Sequence, residues 1–166
     1  MRGTVLKVVI FAIAFGFAEA AVIVYLRHLL GAATQLEIPN EILFLTPGIA
    51  FLEPQTAAKI IKDTAILNVE RIREVATLVM LGAVAVTAGR KLVEKLAFFA
   101  LAFGIWDIFY YIFLRLIIKW PATLSDLDIF FLLPTPWVGP VIVPVIISLV
   151  LMIVSLAYLF FKKGEE

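Results

Sequence analysis

AFFALAFGIWDIFYYIFLRLII, residues Ala97–Ile118, is an apolar run broken near its middle by one carboxylate, Asp107. A helix needs about 20 such residues, at about 1.5 Å each, to cross the hydrocarbon of a bilayer, and this stretch is long enough. Trp106, Tyr110 and Tyr111 add three further polar atoms to it. A charge at that depth costs at least about 2.5–3.5 kcal/mol. Asp107 therefore calls for a partner, a proton or water.

The whole chain has the same character. Its 166 residues suit one domain, and 63% hydrophobic content with a mean hydropathy of +1.08 is that of an integral membrane protein. Fourteen Lys and Arg against 13 Asp and Glu leave a net charge of +1, so nothing advertises a nucleic-acid partner. With no cysteine, disulfides, thiolate zinc sites, iron–sulfur clusters and a Cys nucleophile are excluded. The single His28 excludes His-rich metal sites and argues against a Ser-His-Asp triad.

Working outward from Asp107, the expected fold is all-α, a four-helix transmembrane bundle spanning 5–30, 69–89, 96–118 and 140–161 with interfacial or re-entrant segments between them. In the first span, Arg2, Lys7 and Ala18-Glu19-Ala20 also fit a cleavable signal peptide. The apolar pattern continues through Ala21 to Leu26, which favours a retained helix and places Glu19 inside the membrane. The loop that follows contains Pro39, Pro47 and Pro54, so its short apolar patch, Ile42–Leu52, reads as interfacial or re-entrant. Thr56–Glu74 reads as a helix along the interface before turning in. The second span has only Val75–Gly89 free of charge and must begin near Val69, which draws Glu70, Arg73 and Glu74 toward the membrane boundary. Ile129–Pro140, IFFLLPTPWVGP, holds three prolines and reads as a second re-entrant or interfacial turn. Pro144 kinks the start of the last span, and Lys162 and Lys163 stop it.

Four spans put both termini on one side. Seven Lys and Arg fall on each side of the bilayer, but the hairpin Arg90–Lys95 is short and basic, so the positive-inside rule places both termini in the cytoplasm. Glu19 then lies roughly 20 Å along the first helix and Asp107 nearly as far along the third. Arg73 and Glu74, near the start of the oppositely directed second helix, reach the same outer level. The expectation is a polar cluster of Glu19, Arg73, Glu74 and Asp107 in the outer half, flanked by Arg27, Glu70, Trp106, Tyr110, Tyr111 and Arg115. Arg27 and Arg115 each follow a buried acid by eight residues, close to the same helix face.

Plainer roles exist for the same residues. Arg27, Arg115, Lys119 and Trp120 suit snorkelling interface anchors. Trp106, Tyr110 and Tyr111 suit helix packing, and Ala12, Gly16 and Ala20 make a small-residue packing face. Glu70 and Glu74 are four apart, a weak metal signal without a histidine, so no metal site and no cofactor is assigned.

FGFAEAAVIVYLR (Phe15–Arg27), REVATLVMLGAVAV (Arg73–Val86), AFGIWDIFYY (Ala102–Tyr111) and LLPTPWVGPVIVPV (Leu132–Val145) together resemble a group of small prokaryotic four-span integral membrane proteins. That likeness implies location in the cell membrane but no activity. A chain of 18.4 kDa with short tails has no room for a soluble catalytic or nucleotide domain, so the first expectation is an accessory or structural subunit of a larger membrane assembly. Its partners would be the lipid bilayer and another membrane protein or further copies of itself. The alternatives are a small transporter or binding protein for a proton, cation or amine-bearing solute, and a membrane enzyme acting on a lipid or quinone-like molecule through Asp107 or Glu19 with Tyr110 or Tyr111.

Overall fold

The computed structural model describes residues 2–30 and 41–161. Pro39 and the lysine pair 162–163 lie outside the described residues. In chain order the elements are α1 (Arg2–Leu30), β1 (Ile42–Thr46), β2 (Ile49–Leu52), α2 (Thr56–Ile60), α3 (Thr64–Ala88), α4 (Leu92–Ile118), β3 (Leu127–Phe131), β4 (Trp137–Pro140) and α5 (Ile142–Phe161). Three of them, α1, α4 and α5, are long and apolar enough to cross a membrane. In α3 the charges of Glu70, Arg71, Arg73 and Glu74 fill the first half of the helix.

The bundle is organised around α4. It packs against α1, α3 and α5, whereas α3 and α5 make no sustained contact with each other. Small residues set the two closest approaches. A Cβ at Gly16 would lie 3.0 Å from the Trp106 carbonyl oxygen, and one at Gly104 would lie 2.7 Å from that of Ser148. Ala12 and Ala20, which share the Gly16 face, are completely buried. Phe98, Leu101 and Ala102 of α4 join Val8 of α1, Leu81 of α3 and Leu159 of α5 in the main core.

An all-α fold was expected, and the two proline-rich loops correct it. Each forms a β-hairpin, and the hairpins join through β2 and β4 into one antiparallel sheet of order β1-β2-β4-β3. The physical reason lies in the turn residues. Prolines bar helix from both stretches, and Pro47-Gly48, with Gly48 at φ +85°, fits the central positions of a tight turn that returns the apolar strand on itself. The Thr46 hydroxyl donates to the Ile49 carbonyl across that turn at 3.1 Å. Ala50 pairs with Val138 and Phe51 with Trp137, so loops about 90 residues apart in sequence satisfy each other's backbone. Glycine is required at 139, where a Cβ would come within 2.3 Å of the Gly48 carbonyl oxygen.

A second correction concerns the helix expected over Thr56–Glu74. It ends at Ile60, and α3 begins afresh at Thr64, with the Asp63 carboxylate accepting from the Ala65 and Ile66 N–H groups at 2.9 and 3.1 Å. The second long helix thus starts one turn earlier than Val69. At the α3–α4 turn the Glu94 carboxylate accepts from the Arg90 and Lys91 N–H groups at 2.8 and 3.3 Å.

Candidate functional site

Each helix contributes one stripe at helical spacing to a common space. Glu19, Ile23, Leu26 and Arg27 come from α1; Glu70, Arg73, Glu74 and Thr77 from α3; Phe103, Trp106, Asp107, Tyr110 and Tyr111 from α4; Val143, Pro144, Ile147 and Ser148 from α5. Together with the sheet above them they enclose a cavity of about 510 Å³. That lies within the usual range of about 300–1,000 Å³ for a small-molecule site.

The polar side chains fall into three groups. In the first, Arg73 bridges two acids. It pairs directly with Glu19, and its Nε and Nη2 meet Glu70 Oε2 at 2.9 and 2.8 Å. Thr77 donates its hydroxyl to Glu19 at 3.1 Å. Glu19 and Glu70 are 5% and 4% exposed, so the guanidinium supplies a counter-charge that water cannot.

The acids of the second group form no salt bridge among the described residues. Ser148 Oγ donates to Asp107 Oδ2 at 2.8 Å, and the Leu132 N–H donates to Glu74 at 2.8 and 3.0 Å to its two oxygens. The latter bond ties the sheet connection to α3.

The third group sits at the end of the cavity covered by the sheet. Arg27 lies 3.5 Å from Asp128 Oδ1 and stacks over the Trp120 ring at 3.8 Å, while the Tyr111 hydroxyl donates to Asp128 Oδ2 at 3.0 Å. Burial pushes the Asp128 carboxyl up to about 6, against the opposing pull of Arg27 and of the Tyr111 hydroxyl.

All four residues of the expected cluster, Glu19, Arg73, Glu74 and Asp107, line this cavity, as do Arg27, Glu70, Trp106, Tyr110 and Tyr111. Arg115 does not. Its Nη1 donates to the Lys119 and Pro121 carbonyls at 2.7 and 3.0 Å, because the left-handed turn at Lys119 presents those oxygens at the end of α4. The expected matching of Arg27 to Glu19 and of Arg115 to Asp107 is therefore replaced by Arg27 with Asp128 and Ser148 with Asp107.

Sequence reasoning missed Thr77, Ser148, Asp128 and Trp120 as cavity residues. Thr77 was within reach, three residues after Glu74 and four after Arg73 on one helix face. Asp128 carried no local sign, since it reads as a solvated loop acid until β3 buries it. Among the described residues, the buried indole nitrogens of Trp106 and Trp137 in the cavity walls have no acceptor. Among the described residues, no group of three or more His, Asp or Glu side chains is arranged to hold a metal ion.

Comparison of the chain with protein-family models, with curated proteins and with solved structures finds no match.

Proposed function

We propose that the chain is a four-span membrane protein, crossing the bilayer with α1, α3, α4 and α5 and keeping both termini in the cytoplasm, and that it binds or transports a proton, a cation or an amine-bearing solute. One observation carries the functional part. Five carboxylates, Glu19, Glu70, Glu74, Asp107 and Asp128, line the cavity against two guanidiniums, Arg27 and Arg73. Arg73 and Arg27 form ion pairs with Glu19, Glu70 and Asp128, while among the described residues Asp107 and Glu74 form none and are hydrogen-bonded by neutral donors. Acidic charge in excess inside an apolar enclosure favours a proton or a cationic ligand.

The membrane part rests on α3. Its Glu70, Arg73 and Glu74 turn into the cavity, while Val69, Ile72, Val75 and Val79 on its outer side are 49–69% exposed, an apolar face suited to lipid. The edge strand β1 exposes Leu43, Phe44 and Leu45, which suits a sheet lying at the membrane interface. Single cysteines test the orientation without background: Arg90→Cys should be labelled by an impermeant maleimide only from the cytoplasmic side, and Ser125→Cys only from the other.

An accessory-subunit role draws less support, since the charges that would specify a partner turn inward. A second reading as a lipid- or quinone-directed enzyme draws on Asp107, Tyr110 and Tyr111 sharing one wall. The Tyr111 hydroxyl is, however, committed to Asp128.

The test is ligand-induced stabilisation of the purified protein in detergent by n-hexylamine, with n-hexanol as the uncharged comparator. Hexylamine should raise the unfolding midpoint and hexanol should not. Asp107→Asn, which can keep the Ser148 hydrogen bond, should abolish the difference. Equal responses to amine and alcohol in the native protein would overturn the proposal.

A further inference from the structure

The proposed binding of an amine leaves open how the ligand reaches the carboxylates and what else it must carry. Three sides of the cavity are closed. Above it, Asp128 is held by Arg27 and Tyr111, and the Leu132 N–H by Glu74, which fasten the sheet across the outer end. The Leu52 N–H donates to the Pro136 carbonyl at 2.9 Å and ties the two hairpins together. Between α1 and α5, Ala20, Tyr111, Trp120 and Val141 are packed with Ile23 and Val145. Between α1 and α3, the Arg73–Glu19 pair and the Thr77 hydroxyl bridge the helices.

The side between α3 and α5 is different. Both helices line the cavity and, like α1 and α5, make no sustained contact with each other, but among the described residues no buried cluster fills the gap between them at the level of Ile147. Ile147 of α5 faces the cavity and is also 46% exposed, which marks it as part of the mouth. The residues on either side of that mouth, Val75 and Leu78 on α3 and Ile146 and Val150 on α5, are exposed and apolar. Such a rim disfavours entry of a hydrated ion and favours a hydrocarbon chain.

We propose that this opening is a lateral portal to the bilayer, and that the occupant is an amine-headed lipid, seated with its ammonium group between Asp107 and Glu74 and its chain lying out between α3 and α5. The inference rests on the amine-binding reading above and adds both the route and the apolar chain. Charge complementarity selects the head group: the carboxylates outside the described salt bridges, Asp107 on α4 and Glu74 on α3, line the same cavity as Ile147. The tail contributes apolar burial against Phe103, Phe131 and Ile147.

The chain contains three tryptophans, and Trp106, Trp120 and Trp137 all line the cavity, so its intrinsic fluorescence reports occupancy. The experiment places the full chain in phosphatidylcholine nanodiscs with stearylamine brominated along its chain, or with the equally brominated stearyl alcohol. The amine should quench saturably and at lower mole fraction than the alcohol, and unbrominated stearylamine should reverse the quenching. Asp107→Asn should weaken the amine's apparent affinity by about tenfold or more, the value of one lost charge-assisted hydrogen bond. Unmodified Ile147→Cys should keep a saturable component, weakened by the apolar burial it loses, and alkylation with N-cyclohexylmaleimide should abolish it.

Equal quenching by amine and alcohol, or quenching untouched by the blocked mouth, would overturn the portal and its lipid. In that case stabilisation by hexylamine in detergent would still stand for the amine-binding reading. Loss of both signals would remove the two proposals together. Displacement of the brominated amine by millimolar ethanolamine from the aqueous phase would also overturn the lipid assignment, since it would show the head group alone to suffice.

Discussion

Replacing Arg73 with methionine removes the guanidinium that serves both Glu19 and Glu70, while keeping much of its hydrocarbon stem. Two nearly inaccessible carboxylates, 5% and 4% exposed, then lose their cation, and Glu19 keeps only the Thr77 hydroxyl at 3.1 Å. Breaking a buried ion pair by deleting one partner costs about 3–5 kcal/mol. The Arg73 side chain is itself 21% exposed, so some solvent already screens the pair and the lower end, about 3 kcal/mol, is expected. For a chain of this length that corresponds to a fall of about 6–12 °C in the unfolding midpoint. Titration with sodium dodecyl sulfate from mild-detergent micelles, followed by circular dichroism, measures the free energy, and a thermal scan measures the midpoint. The triple variant Arg73→Met, Glu19→Gln, Glu70→Gln has no stranded charge and should return to within about 1 kcal/mol of the native protein, because a buried charged triad replaced as a unit is close to neutral. Arg73→Lys should fall between, since one ammonium cannot reproduce the fork that reaches both acids. If Arg73→Met costs less than about 1 kcal/mol, or the triple variant is no better than the single one, the three side chains do not form the coupled unit described.

Glu74→Ala leaves the buried Leu132 N–H without an acceptor and should cost about 1–3 kcal/mol, with faster hydrogen exchange at Leu132; Glu74→Gln retains a carbonyl oxygen and should cost less. Gly104→Ala places a methyl 2.7 Å from the Ser148 carbonyl and 2.8 Å from Met152 Cγ, so α5 must retreat from α4, lowering stability by about 1–3 kcal/mol and loosening the Ser148 hydrogen bond to Asp107. The pH dependence follows from Asp128, whose carboxyl is raised from 3.8 to about 6. A raised acid binds a proton in the folded chain that the unfolded chain has already released. Its contribution is therefore fully present below about pH 4 and is lost as pH rises through about 6. Compared with Asp128→Asn, which does not titrate, the native protein should lose up to about 3 kcal/mol of stability between pH 4 and pH 7 in micelle unfolding; parallel curves would contradict the burial of that carboxyl.

The apolar helices were legible because hydropathy and length are local properties of the chain. Val5–Leu30, Ala97–Ile118 and Val141–Phe161 can be read without knowing what they touch, and α1, α4 and α5 occupy those stretches. The convergence of Glu19, Arg73, Glu74 and Asp107 on one cavity could be anticipated in part, because helix rise turns sequence distance into depth and buried charge requires company. Depth, however, gives only one coordinate. Rotation of each helix about its own axis is set by packing, here by Gly16 of α1 against α4 and by Gly104 of α4 against α5, and it sends Arg115 to the carbonyls of Lys119 and Pro121 and gives Asp107 to Ser148. The sheet lay further out of reach. Each hairpin alone reads as a proline-broken apolar loop, and only the pairing of Ala50 with Val138 and Phe51 with Trp137, across about 90 residues, makes the two into strands that cover the bundle and bury Asp128. Hydrophobicity along the chain thus determined which segments form the apolar helices. The long-range backbone pairing and the rotation of the helices, which depend on the chain's meeting itself, decided which acids keep a cation and which face the cavity without one.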